Sequence, residues 1–384
     1  MKDALAALYL KLRRTPVHRA TTREQREAIY RFRYSIYVEE LEREIGGVDH
    51  ERRMVCDDED EAPWSHHLYV GEPGNIEGAI RLRAWGPGEI PDAMRRDLSI
   101  ERFGPAIEHM TIAELGRFMI ARQRRGAAML LGSMAYETYL FLGREMKVDL
   151  AFSYCRPGLV PYYRRLGSRP YGGDLVYAPE GMEVPLVSVM SDRAYYKKVG
   201  SPMTPLVSQV FGRGKRQDVD DRSFRHLFDN DHCGVITDRE AVWSQFAESL
   251  DTEATLGDSF LSGLDPRTVN QLSKRGFIVD LEAQQLVTRE GHAEREMFVV
   301  LEGELEVIKG ETAIAKLGRG DVFGEMAFFL ERGRRTASVR TLRPSKLVLL
   351  KRSFIDDLHK TDPDGAKAIL LNLGRVLAAR LEGM

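Results

Sequence analysis

A chain of 384 residues exceeds what one hydrophobic core usually organises, so two domains of ordinary size are expected. Hydrophobic and charged shares of 43% and 30% are those of a soluble globular protein and exclude extended disorder, and a formal net charge of -2 gives no global pull toward nucleic acid. Three distant cysteines, Cys56, Cys155 and Cys233, fit neither a disulfide framework nor a zinc knuckle and point to a reducing, cytoplasmic setting.

The N-terminal run MKDALAALYLKLRR is too short for a membrane span, is charged from its second residue and lacks a cleavage site. Leu5, Leu8, Tyr9 and Leu12 fall on one helical face, which either packs on its own domain or makes peripheral contact with a membrane or partner. From 24 to 41, EQREAIYRFRYSIYVEEL places Ile29, Phe32, Ile36 and Tyr37 at helical spacing. HHLYVGEPGNIEGAIRLRAW then reads as a hairpin turning on Gly and Pro, and TIAELGRFMIA as a further strand. A long apolar helix, GAAMLLGSMAYETYLFLGREM, opens at a small-residue loop, and VDLAFSYC is a buried strand closed by the turn RPG. Strand, helix and strand make a βαβ unit. His66 and His67 are neighbours on a strand, point to opposite faces and cannot share one metal ion. Cys155 is read as packing rather than as a nucleophile.

Between about 202 and 256 the pattern weakens, with FGRGKRQDVDDR as an exposed connection and REAVWSQFAESL as a helix. The short runs QLVTRE, EMFVVLEGELEVIKG, ETAIAKLGRGDVF, TASVRTL and SKLVLLKR, punctuated by glycine, then predict an antiparallel barrel or jelly roll. The last helix, DGAKAILLNLGRVLAARLE, carries an apolar stripe of Ile369, Leu370, Leu373, Val376 and Leu377.

Within these strands, Gly324-Glu325 is followed after nine residues by Arg335-Thr336-Ala337. An arginine fork and backbone amides at a short helix suit a singly charged phosphodiester. With LEGELEVIKG before it, the run resembles the phosphate-binding cassette of cyclic nucleotide-binding domains, over about the last third of the chain. The resemblance implies that Arg335 takes the phosphate, that Glu325 accepts from the ribose 2′-hydroxyl and that Gly324 lets the backbone approach the sugar, with Met326, Thr336 and Ala337 in the same site. Arg334 is the alternative phosphate partner. Thr336 is able to meet a guanine amino group, and cyclic AMP is expected ahead of cyclic GMP. The bland alternative is a solvated Glu and Arg in a surface loop. No helix-turn-helix follows the last helix, so the output is expected in the first two-thirds of the chain.

There, Gln123-Arg-Arg-Gly126-Ala-Ala128 stands between a strand and a helix and resembles the pyrophosphate loop of GNAT acyltransferases. The resemblance implies that Gln123, Gly126 and Ala128 hold the phosphates of coenzyme A or phosphopantetheine at a helix N-terminus. PGLVPYYRRLGSRPYGG is similar to the late segment of that fold. FRYSIYVEEL at 32 to 41, AIRLR at 79 to 83 and AELGRF at 113 to 118 together resemble acyl-homoserine-lactone synthases and N-acyl amino acid synthases, a GNAT branch that takes long acyl chains from acyl carrier protein. This implies that Arg33, Arg81, Glu114 and Arg117 form the charged cluster of the site. The run Asp57-Asp58-Glu59-Asp60 stands near that branch's paired aspartates, but Ala62-Pro63-Trp64 disturbs the spacing and leaves the equivalent acid open. Glu114 is the candidate base, and Arg81, Glu114 and Arg117 fit a structural ion-pair network equally well. Lys11, Arg13, Arg14, Arg122, Arg124 and Arg125 offer either a docking face for an acidic carrier protein or a solvated surface.

The expected fold class is α+β. It comprises a GNAT-fold mixed sheet with flanking helices over 1–212, a connecting helical segment over 213–256, and over 257–384 a cyclic nucleotide-binding domain built as an antiparallel β-barrel (jelly roll) with C-terminal helices. The expected function is that of a bacterial, cytoplasmic N-acyltransferase under cyclic nucleotide control. Its donor is an acyl thioester, either long-chain acyl carrier protein or acyl-CoA, and its acceptor is the amine of an amino acid or similar small molecule, with no metal and no nucleic acid involved. Two rivals remain: a cyclic AMP-regulated, acetyl-CoA-dependent protein lysine acetyltransferase, and a non-enzymatic nucleotide sensor whose acyltransferase domain has decayed.

Overall fold

The structure is a computed structural model that describes residues 15–382, apart from 42, 44, 127, 172–175, 179–180, 212–218, 220–221, 229–234, 237–261, 293–295, 327–333 and 352. The helix expected over 1–14, with Lys11, Arg13 and Arg14, lies outside the described residues, as do the helix REAVWSQFAESL and most of the connecting segment. The described residues form two compact units, divided for the most part at residue 232.

The first unit opens with β1 (Val17–Arg19) and α1 (Arg23–Tyr34). Thr22 caps this helix: its hydroxyl accepts from the Gln25 N–H at 3.2 Å while the Gln25 side chain accepts from the Thr22 N–H at 3.1 Å. The single helix expected over 24–41 is in fact α-helical only to Tyr34 and widens into a π-helical turn over Ser35–Glu40. A small ribbon follows, β2 (Val48–Asp49) against β3 (Met54–Val55). Then come β4 (Ser65–Glu72) and β5 (Asn75–Trp85), the expected hairpin, and α2 (Asp92–Asp97). The expected βαβ unit is β6 (Ile112–Ile120), α3 (Ala128–Leu140) and β7 (Leu150–Cys155), and its two strands pair in parallel. After α4 (Val160–Leu166), β8 (Arg169–Pro170), β9 (Val176–Ala178) and β10 (Gly181–Val189) complete an eight-stranded sheet of order β1-β4-β5-β6-β7-β10-β8, with β9 on β10. Helices α5 (Arg193–Lys198) and α6 (Thr204–Val210) follow.

Successive side chains of a strand point to opposite faces, and the two faces of this sheet differ. On one, Leu68, Ile80, Leu82, Ala113 and Ala151 pack in one apolar cluster with Leu130 and Met134 of α3. On the other, Tyr69, Ala79 and Met119 join the apolar cluster of α1, while Trp85, Ile112, Leu150 and Phe152 join a second cluster with Leu98, Ile100 and Phe103. The register places His67, Arg81, Arg83 and Glu114 on the strip between those clusters.

In the second unit, β11 (Val235–Ile236), α7 (Pro266–Arg275), β12 (Phe277–Leu281), β13 (Leu286–Thr288), β14 (Glu296–Glu302), β15 (Leu305–Lys309), β16 (Thr312–Leu317), β17 (Val322–Phe323), β18 (Ser338–Thr341) and β19 (Ser345–Lys351) lead to α8 (Ser353–Thr361) and α9 (Pro363–Glu382). The strands form two antiparallel sheets, β11-β12-β19-β14-β17 and β13-β18-β15-β16. Among the described residues no ladder joins the sheets, so of the expected barrel or jelly roll the structure shows the two-sheet form and no closed barrel. Gly303, at φ 102° with Ser345 pressed against it, turns the chain from β14 in one sheet to β15 in the other. Met297, Val299 and Leu301 of β14 pack with α7, α8 and α9 in one cluster, and Phe298 and Val300 are buried on the opposite face. The expected stripe on α9 is narrower than its sequence: Ile369 and Leu373 are buried, but Leu370 is 41% exposed.

Candidate functional site

Five charged side chains meet on the polar strip of the first unit. The run 57–60 folds as one tight helical turn in which Asp57 is the cap and Asp60 reaches back to it, accepting from the Asp57 N–H at 2.9 Å. This turn presents Asp57 and Asp60 together. Arg33, in the last turn of α1, donates to Asp60 Oδ2 at 2.7 Å and to His67 Nδ1 at 3.2 Å. Arg81 Nη1 donates to Asp57 Oδ1 at 2.9 Å and to Asp60 Oδ1 at 3.1 Å, and Arg117 Nη2 donates to Asp57 Oδ2 at 2.8 Å. Arg33, Asp60 and His67 are at most 1% exposed, whereas the Asp57 side chain is 31% exposed at the rim.

Burial alone would push the Asp60 carboxyl up, but Arg33 and Arg81 hold it well below the usual carboxylate range. Burial, with Arg33 beside it, lowers His67 to about 4, so its ring is neutral at pH 7. His67 Nε2 then carries the proton and donates to the Asp60 carbonyl at 3.0 Å, leaving Nδ1 to accept from Arg33. His66 faces the other way, against the Phe141 ring, as strand alternation requires.

The structure brings Arg33, Arg81 and Arg117 together through two acids, while Glu114 has another partner. Its carboxylate accepts from Arg83 Nε at 3.0 Å. The Glu114 side chain lies along its own strand: a Cβ on Gly116 would stand 2.5 Å from Glu114 Oε1, so Gly116 is what leaves the carboxylate room. Sequence reading missed His67 and Arg83 and left the choice of acids open. The D-x-x-D spacing of a reciprocal cap and the period-two spacing of Arg81 and Arg83 were the available signals.

Strands β6 and β7 pair only from Ile112↔Leu150 to Leu115↔Ser153, although β6 runs on to Ile120 and β7 to Cys155. Past that point β6 is deformed. Between the pairs Arg81↔Gly116 and Ala79↔Met119, Arg117 and Phe118 stand opposite Ile80 alone, a β-bulge with Arg117 at φ 54°. Phe118 is exposed there, and Leu159 and Tyr162 are exposed just past the end of β7. After β6 comes a tight turn over Arg122–Arg124, then Gly126 at φ 85°, then α3 beginning at Ala128. Gln123 is exposed. Of the expected docking residues in this turn, Arg124 pairs with Glu77 at 3.1 Å and Arg125 with Glu40 at 2.5 Å.

In the second unit, Gly324 and Glu325 follow β17 directly, and Arg335, Thr336 and Ala337 lead into β18. Gly324 has φ 78°, and any Cβ there would collide with Arg335 Nη1. Arg335 donates to the carbonyls of Gly324 at 3.2 Å and Glu296 at 2.7 Å. Glu325 is buried and accepts from Arg380 Nη1 at 2.8 Å. Met326 is partly exposed, and the seven residues after it lie outside the described ones.

A mixed sheet with charged groups gathered where two parallel strands part, and a two-sheet sandwich that gathers Gly324, Glu325 and Arg335, make two compact units, each with its own cluster of charged side chains. Residues 28–192 match the family model described as N-acyl amino acid synthase FeeM, and residues 278–362 match that of the cyclic nucleotide-binding domain. The chain therefore carries an N-terminal FeeM N-acyl amino acid synthase domain and a C-terminal cyclic nucleotide-binding domain.

Among curated proteins, the chain is 30% identical over 113 residues to cGMP-dependent protein kinase 2 of Mus musculus, covering 29% of this chain and 15% of the kinase. It is 34% identical over 107 residues to the Caenorhabditis elegans cGMP-dependent protein kinase egl-4, covering 28% and 14%. It is 32% identical over 104 residues to the Mus musculus cyclic nucleotide-gated channel alpha-4, covering 25% and 18%. The chain thus spans less than a fifth of the length of these relatives. Solved structures similar to it include a cyclic nucleotide-binding domain from Methylobacillus flagellatus, at 21% identity and TM-score 0.34, covering 41% of this chain and 88% of that one. The Thermus thermophilus catabolite activator protein matches at 25% identity and TM-score 0.29, covering 32% and 58%. No helix among the described residues is long and apolar enough to cross a membrane.

Proposed function

We propose that the protein is an N-acyltransferase of the GNAT fold, controlled by a cyclic nucleotide, that moves an acyl group from a thioester to the amine of an amino acid or similar small molecule. The observation that carries this reading is the parting of β6 and β7 beside the charged cluster, inside the segment matched by the acyl amino acid synthase family. Past Leu115, β6 has no ladder to β7 among the described residues, so a thioester arm laid in the gap would meet the β6 backbone, whose amides can polarise its carbonyl as negative charge develops. Gly126 and the start of α3 lie at the end of the same strand, where a helix N-terminus suits the phosphate of phosphopantetheine or coenzyme A, with Gln123 and Ala128 beside it. The exposed apolar groups Phe118, Leu159 and Tyr162 favour a long acyl chain, hence acyl carrier protein as donor.

The attacking nitrogen places its lone pair on the thioester carbon, the C–S bond breaks with its electron pair departing on the carrier's thiolate, and the amine proton goes to a base, from which the thiolate can be protonated. Glu114 fits that role because its carboxylate lies over Gly116, the first residue of β6 beyond the paired stretch. Asp57, half-exposed and gripped by Arg81 and Arg117, orients the acceptor, and Arg33 and Asp60 hold that turn in place. In the second unit Arg335 takes the cyclic phosphate and Glu325 the ribose hydroxyl, with Gly324, Met326, Thr336 and Ala337 around them. Cyclic AMP stands first; the names of the cGMP-dependent kinases and the hydroxyl of Thr336 make cyclic GMP the second nucleotide to test.

The test incubates the full chain and an amino acid mixture with long-chain acyl carrier protein or with acetyl-CoA, each with and without cyclic AMP or cyclic GMP, and reads products by mass spectrometry. N-acyl amino acids formed from the carrier-bound donor, at a rate that changes with nucleotide, are expected. Acetylated lysine on added protein instead, or no turnover with either donor, would overturn the reading. In the productive assay Glu114→Gln should cut kcat by about 10²- to 10⁴-fold, the usual weight of a general base.

A further inference from the structure

Arg380 lies in the last turn of α9, beyond the segment 278–362 that matches the nucleotide-binding family. Its guanidinium reaches back to the cassette: Nη1 donates to Glu325 Oε1 at 2.8 Å and Nη2 donates to the Val322 carbonyl. One fork thus ties the end of a 20-residue helix to the strand and turn that carry Gly324 and Glu325.

The two halves of α9 are held differently. Ala366, Ile369 and Leu373 are at most 1% exposed and anchor the first half on the sheet. From Gly374 onward none of the described side chains is buried. Gly374 sits inside the helix, where glycine weakens helical structure relative to alanine. Glu325, by contrast, is only 8% exposed as a side chain, so a ligand cannot reach its carboxylate until what covers it moves. Arg380 is 36% exposed and returns to water at little cost. A ribose hydroxyl and the Arg380 guanidinium are both donors seeking the same acceptor.

We infer that Arg380 is a latch: it competes with bound cyclic nucleotide for Glu325, so that filling the cassette frees the end of α9 from Gly374 onward. The inference rests on the cyclic nucleotide reading of the second domain. It supplies that reading with a moving part, because a ligand shifts an equilibrium only through contacts that differ between two arrangements.

Calorimetric titration of the full chain with cyclic AMP and with cyclic GMP, for wild type and Arg380→Met, combined with hydrogen exchange of the amides 374–382, tests it. Arg380→Met should bind the effective nucleotide about three- to tenfold more tightly, the effect of removing one partly exposed ionic competitor. Saturating nucleotide should speed exchange over 374–382 in the wild type, and Arg380→Met should exchange fast there before any nucleotide is added. Binding by the wild type with equal or weaker binding by Arg380→Met, or exchange that slows when nucleotide binds, overturns the latch alone. Failure of wild type and Arg380→Met alike to bind either nucleotide overturns the nucleotide reading and the latch with it. Exchange rates across α7, which the substitution does not touch, report whether Arg380→Met is folded.

Discussion

The two units bury the same kinds of charge and satisfy them in opposite ways. In the first, Arg33, Arg81, Asp57 and Asp60 neutralise one another through direct ion pairs, and Arg33 and Asp60 are withdrawn from water. In the second, Arg335 donates to two backbone carbonyls, and the Glu325 carboxylate is held by an arginine from a helix end that is a third exposed. Asp60, 1% exposed and compensated by arginines that are themselves buried, cannot surrender one of them without being stranded in a medium that penalises an unpaired charge. A carbonyl loses far less when its arginine turns to a phosphate. The partner, more than the residue type, separates a charge that holds a fold from a charge kept ready for a ligand.

The most severe way to break this comparison is to remove one charge from the dry network. Arg33→Met should cost about 3–5 kcal/mol of stability in the first unit, read by urea unfolding, because Asp60 is left with half its compensation. A loss below about 1 kcal/mol, the range of exposed pairs, would mean that the network holds little of the fold. In the cassette the matching change should leave folding nearly intact and appear in binding instead. Arg335→Ala should weaken cyclic nucleotide affinity by about 30- to 100-fold in calorimetry, the loss of a two-pronged bond to a charged phosphate.

Protonation offers a gentler probe of the same contrast. His67 is held neutral between Tyr30, Arg33, Arg81 and the Asp60 turn, and its folded value is lowered to about 4 from an ordinary value near 6.5. The unfolded chain therefore binds the proton more readily, and stability rises with pH across that interval. The contribution is fully present above pH 6.5 and is lost as pH falls through 4, amounting to about 3 kcal/mol. Urea midpoints of the first unit measured between pH 7 and 4 should fall along that curve, and His67→Gln should flatten it. A curve of unchanged slope in His67→Gln would place the titrating group elsewhere.

The parts legible in the sequence were those set by local periodicity and by fixed spacing. The β4–β5 hairpin and the βαβ unit follow from alternation and from one long apolar helix, and both are present. Gly324, Glu325 and Arg335 stood out through the resemblance of their run to the cyclic nucleotide cassette, and the fold brings them together. What escaped was decided by contacts distant in sequence. Glu114 takes Arg83 as partner rather than Arg81 or Arg117, because strand register, invisible in one strand, sets which arginine faces it. Asp57 and Asp60 are singled out from four adjacent acids only once the chain closes a turn around them. Barrel and two-sheet jelly roll could not be told apart, because alternation reports which side of a strand is buried, while the corner at Gly303 decides which sheet the next strand joins.

The finest separation of the two centres comes from a substitution that keeps the charge and removes the fork. Arginine to lysine loses two-pronged geometry but retains a donor and a full positive charge. At Arg33, whose Nη groups serve Asp60 and His67 simultaneously, one ammonium cannot satisfy both, so Arg33→Lys should still cost about 2 kcal/mol. At Arg335 the acceptors among the described residues are the carbonyls of Gly324 and Glu296, both neutral groups. Arg335→Lys should therefore change stability by less than about 1 kcal/mol in urea unfolding. If the two lysine variants lost equal stability, Arg335 would be as much a structural member of its unit as Arg33 is of the other. The distinction between a charge that holds the fold and one held for a ligand would then have to rest on affinity alone.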